Sequence, residues 1–260
     1  FLMYSGTVRG NLWSAKARKL SAIKAFFKFL TVKRKLLEVN PAIDIESPKP
    51  KKSLPKVLSA EEAMFLLDTI KNDKESKTVV RDYAIVTLFL NCGMRVSELV
   101  GIDLADIDRE LRSLRVVGKG NKERIVYLND ACRYALGDYI TERSQHMEEK
   151  ITTPALFLSG RGQRISVKTV QWLVYKYLDL AGLGSKHYSV HKLRHTAATL
   201  MYQSGHVDVR VLKDILGHEQ LNTTQIYTHV SNESMEKAMT QNPLAEISRR
   251  SPDSDEKEGK

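Results

Sequence analysis

The sequence is poor in cysteine and has no long apolar run. Only two cysteines, Cys92 and Cys132, occur in 260 residues, which is too few for a disulfide framework. Each lies in an apolar stretch with helical spacing, so we expect buried thiols rather than a redox pair. No apolar run approaches the roughly 18 residues of a membrane span, and no secretory signal is recognisable. We therefore expect no membrane partner and a cytoplasmic location.

Positive charge is concentrated near the N-terminal end of a chain whose formal net charge is +10. Residues 1–56 hold 13 Lys and Arg against 3 Asp and Glu, whereas residues 57–248 hold 24 of each sign. A concentrated basic segment indicates contact with a polyanion. An ordinary solvated helical face has a similar composition, so charge alone leaves both interpretations open.

The pattern along the chain predicts two domains. Apolar residues at helical spacing predict an amphipathic helix over 12–33, with its aromatic stripe in the core and its lysines available to phosphates. Residues 47–56 contain three prolines and four lysines and are predicted to form a linker. The N-terminal domain is placed at 1–46, the second domain at 57–247, and a charged, disordered tail at 248–260.

The second domain is predicted to be mostly helical with a small sheet. Ser59 and Glu62 form a predicted capping box at the start of its first helix. Strands at 112–118 and 123–128 flank a Gly-rich turn, and 155–159 is expected to add a third antiparallel strand. The other predicted helices cover 78–91, 130–147, 166–181, 190–204, 208–216, 222–229 and 232–241.

Six residues that suit metal-free cleavage of a phosphodiester occur in separate short motifs. Arginine binds phosphate oxygens bidentately and keeps its charge. Tyrosine can attack phosphorus and hold the broken end covalently, and histidine can move a proton near neutral pH. The six residues are Arg95, Lys119, His191, Arg194, His218 and Tyr227.

Taken singly, each of these residues also fits an ordinary structural place. Arg95 fits a surface position, Lys119 fits a solvated turn, and Tyr227 fits a half-buried aromatic. Glu98 follows Arg95 by three residues and is predicted to orient it through a salt bridge. The functional hypothesis therefore depends on the whole set rather than on one residue.

A zinc site is the main chemical alternative. His191, His195 and His218 are possible zinc ligands. Arg194 lies on the same predicted helical face as His191 and His195, and a cation there opposes a dication. No Asp or Glu accompanies the histidines at ligand spacing, so a metal site is disfavoured.

The order of these motifs resembles the tyrosine recombinases, most closely the bacterial Xer site-specific recombinases. The matching stretches read GMRVSELVGID, VVGKGNKERIVYL, SVHKLRHTAATLMYQSG, VLKDILGH and LNTTQIYTHV. The resemblance implies a mainly α (α+β) fold, with a helical catalytic domain and a small three-stranded antiparallel sheet. The N-terminal part is similar to the second half of the family's core-binding (SAM-like) domain, a partial helical DNA-binding domain.

The resemblance also implies the reaction. Tyr227 is expected to attack the scissile phosphate and form a 3′-phosphotyrosyl link with release of a 5′-hydroxyl. Because one phosphoester replaces another, neither ATP nor a metal or other cofactor is expected.

The other five residues are implied to surround the same phosphate. Arg95 and Arg194 are expected to neutralise its non-bridging oxygens, and His218 to hydrogen-bond one of them. His191 is expected to accept the phenolic proton, and Lys119 to protonate the departing 5′ oxygen.

The implied partner is double-stranded DNA at a specific recombination site, which also implies a nucleoid-associated location. In the family, a helix equivalent to 232–241 links protomers, so a homotetramer or heterotetramer on DNA is expected. A second recombinase and a DNA translocase are further implied partners. Lysines expected to contact DNA are Lys16, Lys19, Lys24, Lys28, Lys51, Lys52 and Lys122.

The hypothesis from the sequence is DNA cleavage and rejoining at a specific site. Chromosome dimer resolution is the favoured task, because the sequence is compact and has few insertions. Three alternatives stay open: a mobile-element integrase, DNA relaxation of the type IB topoisomerase kind, and a non-catalytic DNA-binding module.

Overall fold

The chain divides into two compact units, Phe1–Pro55 and Lys56–Lys260. Residues 48–56 of the predicted linker and the predicted tail at 248–260 lie outside the described part of the structure. Within the described part, no helix is both long and apolar enough to cross a membrane. The structure, a computed structural model, describes residues 13–47, 57–118, 120–147, 153–204, 207, 209–216, 236, 239–240 and 242–244.

The first unit contains helix α1 (Trp13–Lys28), which continues through a π-helical turn at Phe29–Lys33. Leu20 and Ala42 are buried within this unit. Phe26 is 57% exposed, so the prediction that the aromatic stripe lies in the core is wrong for this residue.

The second unit is mostly helical and contains one β-hairpin among its described residues. Two short 3-10 turns lie at Leu104–Asp106 and Gly184–Lys186. The strands are β1 (Ser113–Val117) and β2 (Glu123–Tyr127). The helices are α2 (Ala60–Lys71), α3 (Val79–Cys92), α4 (Val96–Gly101), α5 (Asp130–Met147), α6 (Val167–Leu180), α7 (Val190–Gln203) and α8 (Val209–Leu216).

Helix α3 forms the centre of this unit, because it packs against α2, α5 and α7. A helix that is apolar on all sides is expected at such a position, and 11 of its residues are buried. Cys92 and Cys132 are both buried, with their sulfur atoms 3.6 Å apart. The prediction of two buried thiols is therefore confirmed.

The predicted capping box at the start of α2 is confirmed. The Ser59 hydroxyl accepts a hydrogen bond from the Glu62 N–H at 3.2 Å, and the Glu62 carboxylate accepts one from the Ser59 N–H at 3.0 Å. These bonds satisfy two N–H groups that have no partner within the helix.

The predicted hairpin is confirmed, but the small sheet has two strands rather than three. Strands β1 and β2 pair antiparallel, with Ser113 opposite Tyr127. The segment at 155–159 makes only isolated bridges. Side chains take both backbone groups of Leu158: its N–H donates to the Tyr139 hydroxyl at 3.1 Å, and its carbonyl accepts from Arg81 at 2.9 Å. The remaining backbone bonds of the segment, such as that from the Leu156 N–H to the Ile102 carbonyl, are too few to form the ladder of a third strand.

A buried asparagine ties the C-terminal part of the chain to α3. Asn242 is 2% exposed, and its amide donates to the carbonyls of Leu90 at 3.1 Å and Asn91 at 3.3 Å. Met239 is also buried in the same unit. The helix predicted at 222–229 and most of that at 232–241 lie outside the described residues, so the exchange of this segment between protomers stays a prediction.

Candidate active site

The abrupt termination of α3 at Gly93 positions Arg95, the first predicted catalytic residue. Gly93 has a φ of +59° and closes the helix in the left-handed conformation, which glycine adopts at little steric cost. A β-carbon at Gly93 would lie only 2.8 Å from Leu216 Cδ2. The chain therefore passes close to α8 and turns at once, so that Arg95 stands at the N-cap of α4.

Glu98 holds Arg95 through both its backbone and its side chain. The carboxylate accepts a hydrogen bond from the Arg95 N–H and another from the Arg95 guanidinium, each at 2.7 Å. The Glu98 side chain is fully buried, whereas that of Arg95 is 34% exposed. The predicted orienting salt bridge is therefore confirmed, and it leaves part of the Arg95 side chain accessible to solvent.

Arg124, which is not among the six predicted catalytic residues, is a second partner of Glu98. Its two terminal nitrogens donate to the two carboxylate oxygens at 2.6 and 3.0 Å. Burial by itself would raise the pKa of Glu98, but the bonds from Arg124 and Arg95 outweigh it, and the pKa lies below its ordinary value. Glu98 is therefore ionised at neutral pH.

Arg194 is the most buried of the three arginines that surround Glu98. Its side chain is 4% exposed and approaches Glu98 to 4.0 Å. One terminal nitrogen donates to the Gly93 carbonyl at 2.7 Å, and the other donates to the Leu216 carbonyl. Burial first, and then the neighbouring Arg95, lower the pKa of Arg194 to about 10. It therefore stays charged at neutral pH and ties the ends of α3 and α8 to α7.

These residues give the site a net positive charge. The guanidinium groups of Arg95, Arg124 and Arg194 surround the single carboxylate of Glu98. Buried and partly buried charges are screened by salt much less than exposed ones. The cluster therefore favours an anionic ligand, and the bidentate fork of arginine matches phosphate oxygens.

His191 lies on the same face of α7 as Arg194 and is paired with His195. The Nε2 atoms of the two imidazoles are 3.0 Å apart, and the rings meet edge to face. Burial lowers the pKa of His191, and the positive charges of Arg194, Lys192 and Arg95 lower it further. His191 is therefore neutral at pH 7 and can accept a proton.

The three described members of the predicted set meet at one open pocket of about 440 Å³. Helix α6 contributes side chains to this pocket that are not among the predicted site residues. Gln171 and Tyr175 are four residues apart and so share a helical face, which was the available signal. The residues that line the pocket include Arg95, His191, Arg194, Ser97, Gln171, Tyr175 and Ser189.

Lys119, His218 and Tyr227 lie outside the described residues, although some of their sequence neighbours are described. A β-carbon added at Gly118 would lie 3.3 Å from Glu98 Oε1 and 3.9 Å from Arg95 Nη1. The end of β1 therefore reaches the arginine cluster.

The predicted DNA-contacting lysines fall into three groups. Lys51 and Lys52 lie outside the described residues, and Lys122 is exposed in the turn between β1 and β2. The remaining four are spread along α1 in the first unit: Lys16, Lys19, Lys24 and Lys28.

Two of the three histidines that the zinc alternative requires lie in the described part of the structure. His191 and His195 form a close pair, while His218 lies outside the described residues. In the part of the chain that the structure describes, no group of three or more His, Cys, Asp or Glu side chains is arranged to hold a metal ion.

A helical unit in which two arginines and a histidine line one open pocket is typical of a phosphoryl-transfer enzyme. The model of the family described as the phage integrase family matches residues 56–234, which is more than half of the chain. The chain therefore belongs to the phage integrase family, the family of the tyrosine recombinases.

Curated relatives agree with this assignment. The tyrosine recombinase XerC of Caldanaerobacter subterraneus subsp. tengcongensis is 48% identical over 247 residues, which cover 95% of this chain and 67% of the relative. The tyrosine recombinase XerC of Shewanella amazonensis is 41% identical over 217 residues, which cover 84% of this chain and 70% of the relative. Within the family, the chain is a tyrosine recombinase of the Xer type, and the predicted enzyme class and site-specific recombination are confirmed.

Solved structures have the same fold. The XerA recombinase matches with a TM-score of 0.57 and 28% identity, over 93% of this chain and 80% of that chain. The XerH site-specific recombinase bound to its difH substrate in a pre-cleavage complex matches with a TM-score of 0.66 and 26% identity, over 95% and 69% respectively. The predicted mainly helical fold is therefore confirmed.

Proposed function

We propose that this chain cuts and rejoins DNA at a specific site through a 3′-phosphotyrosyl intermediate formed on Tyr227. The observation that carries this proposal is the convergence of Arg95, Arg194 and His191 on one pocket. A scissile phosphate bound there meets two guanidinium groups and a neutral imidazole, which are the groups that metal-free phosphoryl transfer requires.

Electrostatic stabilisation is the task of the two arginines. Negative charge on the non-bridging oxygens grows as the tyrosine attacks phosphorus. The Arg95 side chain is partly exposed and can reach those oxygens, and its orientation is fixed by Glu98. Arg194 supplies a second fixed positive charge, and because its side chain is buried, its electrostatic interactions are strong.

His191 acts as the proton acceptor. The ordinary pKa of a tyrosine phenol is about 10, so the hydroxyl must lose its proton as it attacks. A base that is already neutral at pH 7 is suited to this step, and the lowered pKa of His191 ensures that state.

The positions of Lys119 and His218 in the sequence support their proposed places in the site. Lys119 directly follows Gly118, which lies against Glu98 and Arg95. His218 follows Leu216 by two residues, and the Leu216 carbonyl is held by Arg194. We assign Lys119 to protonation of the leaving 5′ oxygen and His218 to a hydrogen bond with a phosphate oxygen.

The first unit is proposed to hold the DNA. Lys16, Lys19, Lys24 and Lys28 supply four of the five positive charges in the 16 residues of α1, a density that suits contact with phosphates. The unit then corresponds to part of a core-binding domain. On DNA, we propose a tetramer of one or two kinds of recombinase, with resolution of chromosome dimers as its task and a DNA translocase as a further partner.

The chemistry is tested by trapping the covalent intermediate. The full chain is incubated in EDTA with a library of nicked duplexes, in which the short product strand diffuses away after cleavage. We expect a covalent protein–DNA species that selects one sequence and is absent in Tyr227→Phe. DNA binding without any such species would contradict the proposal and favour a non-catalytic binding module.

A second substrate separates recombination from simple relaxation. The protein is incubated with a supercoiled plasmid that lacks the selected sequence, with the same Tyr227→Phe variant as control. We expect the plasmid to stay supercoiled. Relaxation that depends on Tyr227 and ignores sequence would instead favour the type IB topoisomerase kind of activity.

A further inference from the structure

The His191–His195 pair contains one histidine that has no part in the predicted catalytic set. The two residues stand one helical turn apart on α7, with their Nε2 atoms 3.0 Å apart. Their ring centroids are 4.5 Å apart and the ring planes cross at 85°, so the rings do not stack. The contact is a hydrogen bond between two ring nitrogens.

A separation of 3.0 Å between two nitrogens requires one hydrogen between them. Two hydrogens would repel each other, and two bare lone pairs would also repel. A neutral imidazole carries one N–H and one lone pair. Two arrangements therefore exist, and they differ in which histidine donates.

Only one of these arrangements leaves His191 able to act as a base. If His195 donates, the lone pair of His191 Nε2 is occupied and the hydrogen of His191 sits on Nδ1. No nitrogen of His191 then accepts a proton. If His191 donates from Nε2, its Nδ1 carries a lone pair that can receive the phenolic hydrogen.

We propose that His195 is a positioning residue, which accepts the Nε2–H of His191 and so fixes Nδ1 as the atom that takes the proton from Tyr227. This inference rests on the proposed function of the site. In the step, the phenolic O–H bond breaks, an N–H bond forms at His191 Nδ1, and the phenolate oxygen bonds to phosphorus. The bond from phosphorus to the 5′ oxygen breaks, and that oxygen takes a proton from Lys119.

His195 also favours the charged form of His191 that this step produces. Arg95, Lys192 and Arg194 all oppose an imidazolium at His191, and Tyr175 is a further titratable group lining the pocket. The lone pair of His195 Nε2, 3.0 Å from His191 Nε2, offsets part of that repulsion, because hydrogen bonds from ionised donors are about twice as strong as neutral ones. His191 therefore takes the proton, and His195 orients and stabilises the imidazolium that results.

The first test reads the tautomer directly and needs no DNA. Nitrogen-15 NMR of the full chain, at a pH where His191 is neutral, distinguishes Nε2–H from Nδ1–H. We expect His191 to carry its hydrogen on Nε2 in the wild type and to become a mixture of both forms in His195→Phe. A wild-type His191 that carries its hydrogen on Nδ1 would overturn the inference.

The second test measures the rate of covalent adduct formation as a function of pH. His195→Phe removes the acceptor and is expected to slow the reaction about 10- to 100-fold, within the usual size of acid–base effects. Without the acceptor, the pKa of His191 falls further, so the acidic limb of the profile moves to lower pH. His195→Gln keeps an acceptor oxygen and is expected to recover most of the rate.

Matched controls separate the possible failures. Gln203→Ala, on the exposed end of α7, is expected to leave the rate unchanged. If the wild type forms a Tyr227-dependent adduct and His195→Phe matches it in rate and pH limb, the inference fails and the proposed function stands. If the wild type forms no adduct, the proposed function fails, and the NMR experiment still decides the tautomer. A uniform loss of rate without movement of the limb would mean that His195 is only structural.

Discussion

Arg194 Nη1 lies 4.0 Å from Glu98 Oε2, so one buried carboxylate connects both predicted catalytic arginines. Arg124 completes the group with a bidentate contact. Glu98 therefore has two effects that are separable by experiment: it orients Arg95, and it keeps three neighbouring cations compatible with a folded site.

Replacing Glu98 with glutamine is expected to destabilise the protein by about 3 kcal/mol, because removing one member of a buried ion pair leaves the other charges uncompensated. Urea unfolding measures this loss. Glu110→Gln is the matched control, since Glu110 is 63% exposed and pairs with Arg112 at the surface, and a change within about 0.5 kcal/mol is expected there. Equal stability of the two variants would contradict the structure of the cluster.

Acid stability follows from the same carboxylate. The pKa of Glu98 is lowered in the folded chain from an ordinary value of 4.5. A lowered pKa contributes stability above the unfolded value, and this contribution is lost as pH falls through the folded value. The wild type is therefore expected to lose stability below about pH 4.5 more steeply than Glu98→Gln. Urea midpoints measured from neutral to acid pH check this, and parallel curves would count against it.

Alanine substitutions at three glycines distinguish the energetic cost of backbone strain from the cost of a steric clash. Gly93→Ala combines a φ of +59° with a contact of 2.8 Å to Leu216, and a loss of about 2–4 kcal/mol is expected. Gly182 has a φ of +67° with nothing within 4 Å, so Gly182→Ala is expected to cost only about 1 kcal/mol. Gly101 has neither feature, and its replacement by alanine is expected to cost nothing.

The order of these three losses is the decisive result of the glycine series. Thermal and urea unfolding of the three variants are compared under one set of conditions. If Gly93→Ala costs no more than Gly182→Ala, then the close approach between α3 and α8 contributes nothing. In that case, the anchoring of Leu216 beside Arg194 must depend on other contacts.

Local signals explain why much of the fold was predictable. Gly93 ends α3 where a glycine after an apolar helix predicts it, and Ser59 begins α2 through its capping box. Such features depend on a few consecutive residues, and so they can be predicted directly from the sequence. The third strand was predicted from the same kind of local pattern and was wrong, because Tyr139 and Arg81, which are distant in sequence, take the backbone groups of Leu158.

The site was predictable in its residue types and less so in its contacts. Arg95, His191 and Arg194 stand in recognisable motifs, and the structure brings them to one pocket. The contact between Arg124 and Glu98 depends on how β2 lies against α4. This packing cannot be predicted from a short motif. The hydrogen bond between His191 and His195 was accessible from their spacing, but which ring donates was not.

Asn242 fixes the C-terminal part of the chain and provides a test of its attachment. Its amide donates to the carbonyls of Leu90 and Asn91, and its own oxygen accepts from the Leu244 N–H at 2.9 Å. Asn242→Ala leaves buried backbone groups without partners, so a loss of about 1–3 kcal/mol is expected in urea unfolding. Asn72→Ala, at the exposed end of α2, is the control and is expected to change stability little. A neutral Asn242→Ala would mean that contacts other than those of the Asn242 amide, such as the bond from the Asn129 amide to the Met239 carbonyl, hold this segment.

If the lysines of α1 contact DNA, they contribute to the salt dependence of the DNA affinity. If Lys24 and Lys28 contact phosphates, each releases a counterion on binding, and the logarithm of affinity falls with the logarithm of salt concentration. The double variant Lys24→Gln and Lys28→Gln is expected to bind DNA more weakly and to reduce that slope by about 2, one for each lost contact. Fluorescence anisotropy with one duplex at salt concentrations from about 50 to 200 mM gives the slope.

The comparison with a distant lysine makes this result specific. Lys74 is exposed in the second unit and is not among the predicted DNA contacts, so Lys74→Gln should leave the slope unchanged. A loss of affinity in the α1 variant at an unchanged slope would mean that its lysines act through folding of the first unit rather than through phosphates. A loss of slope in Lys74→Gln about half that of the double variant, and so equal for each charge removed, would instead indicate that net charge, rather than position on α1, governs the attraction to DNA.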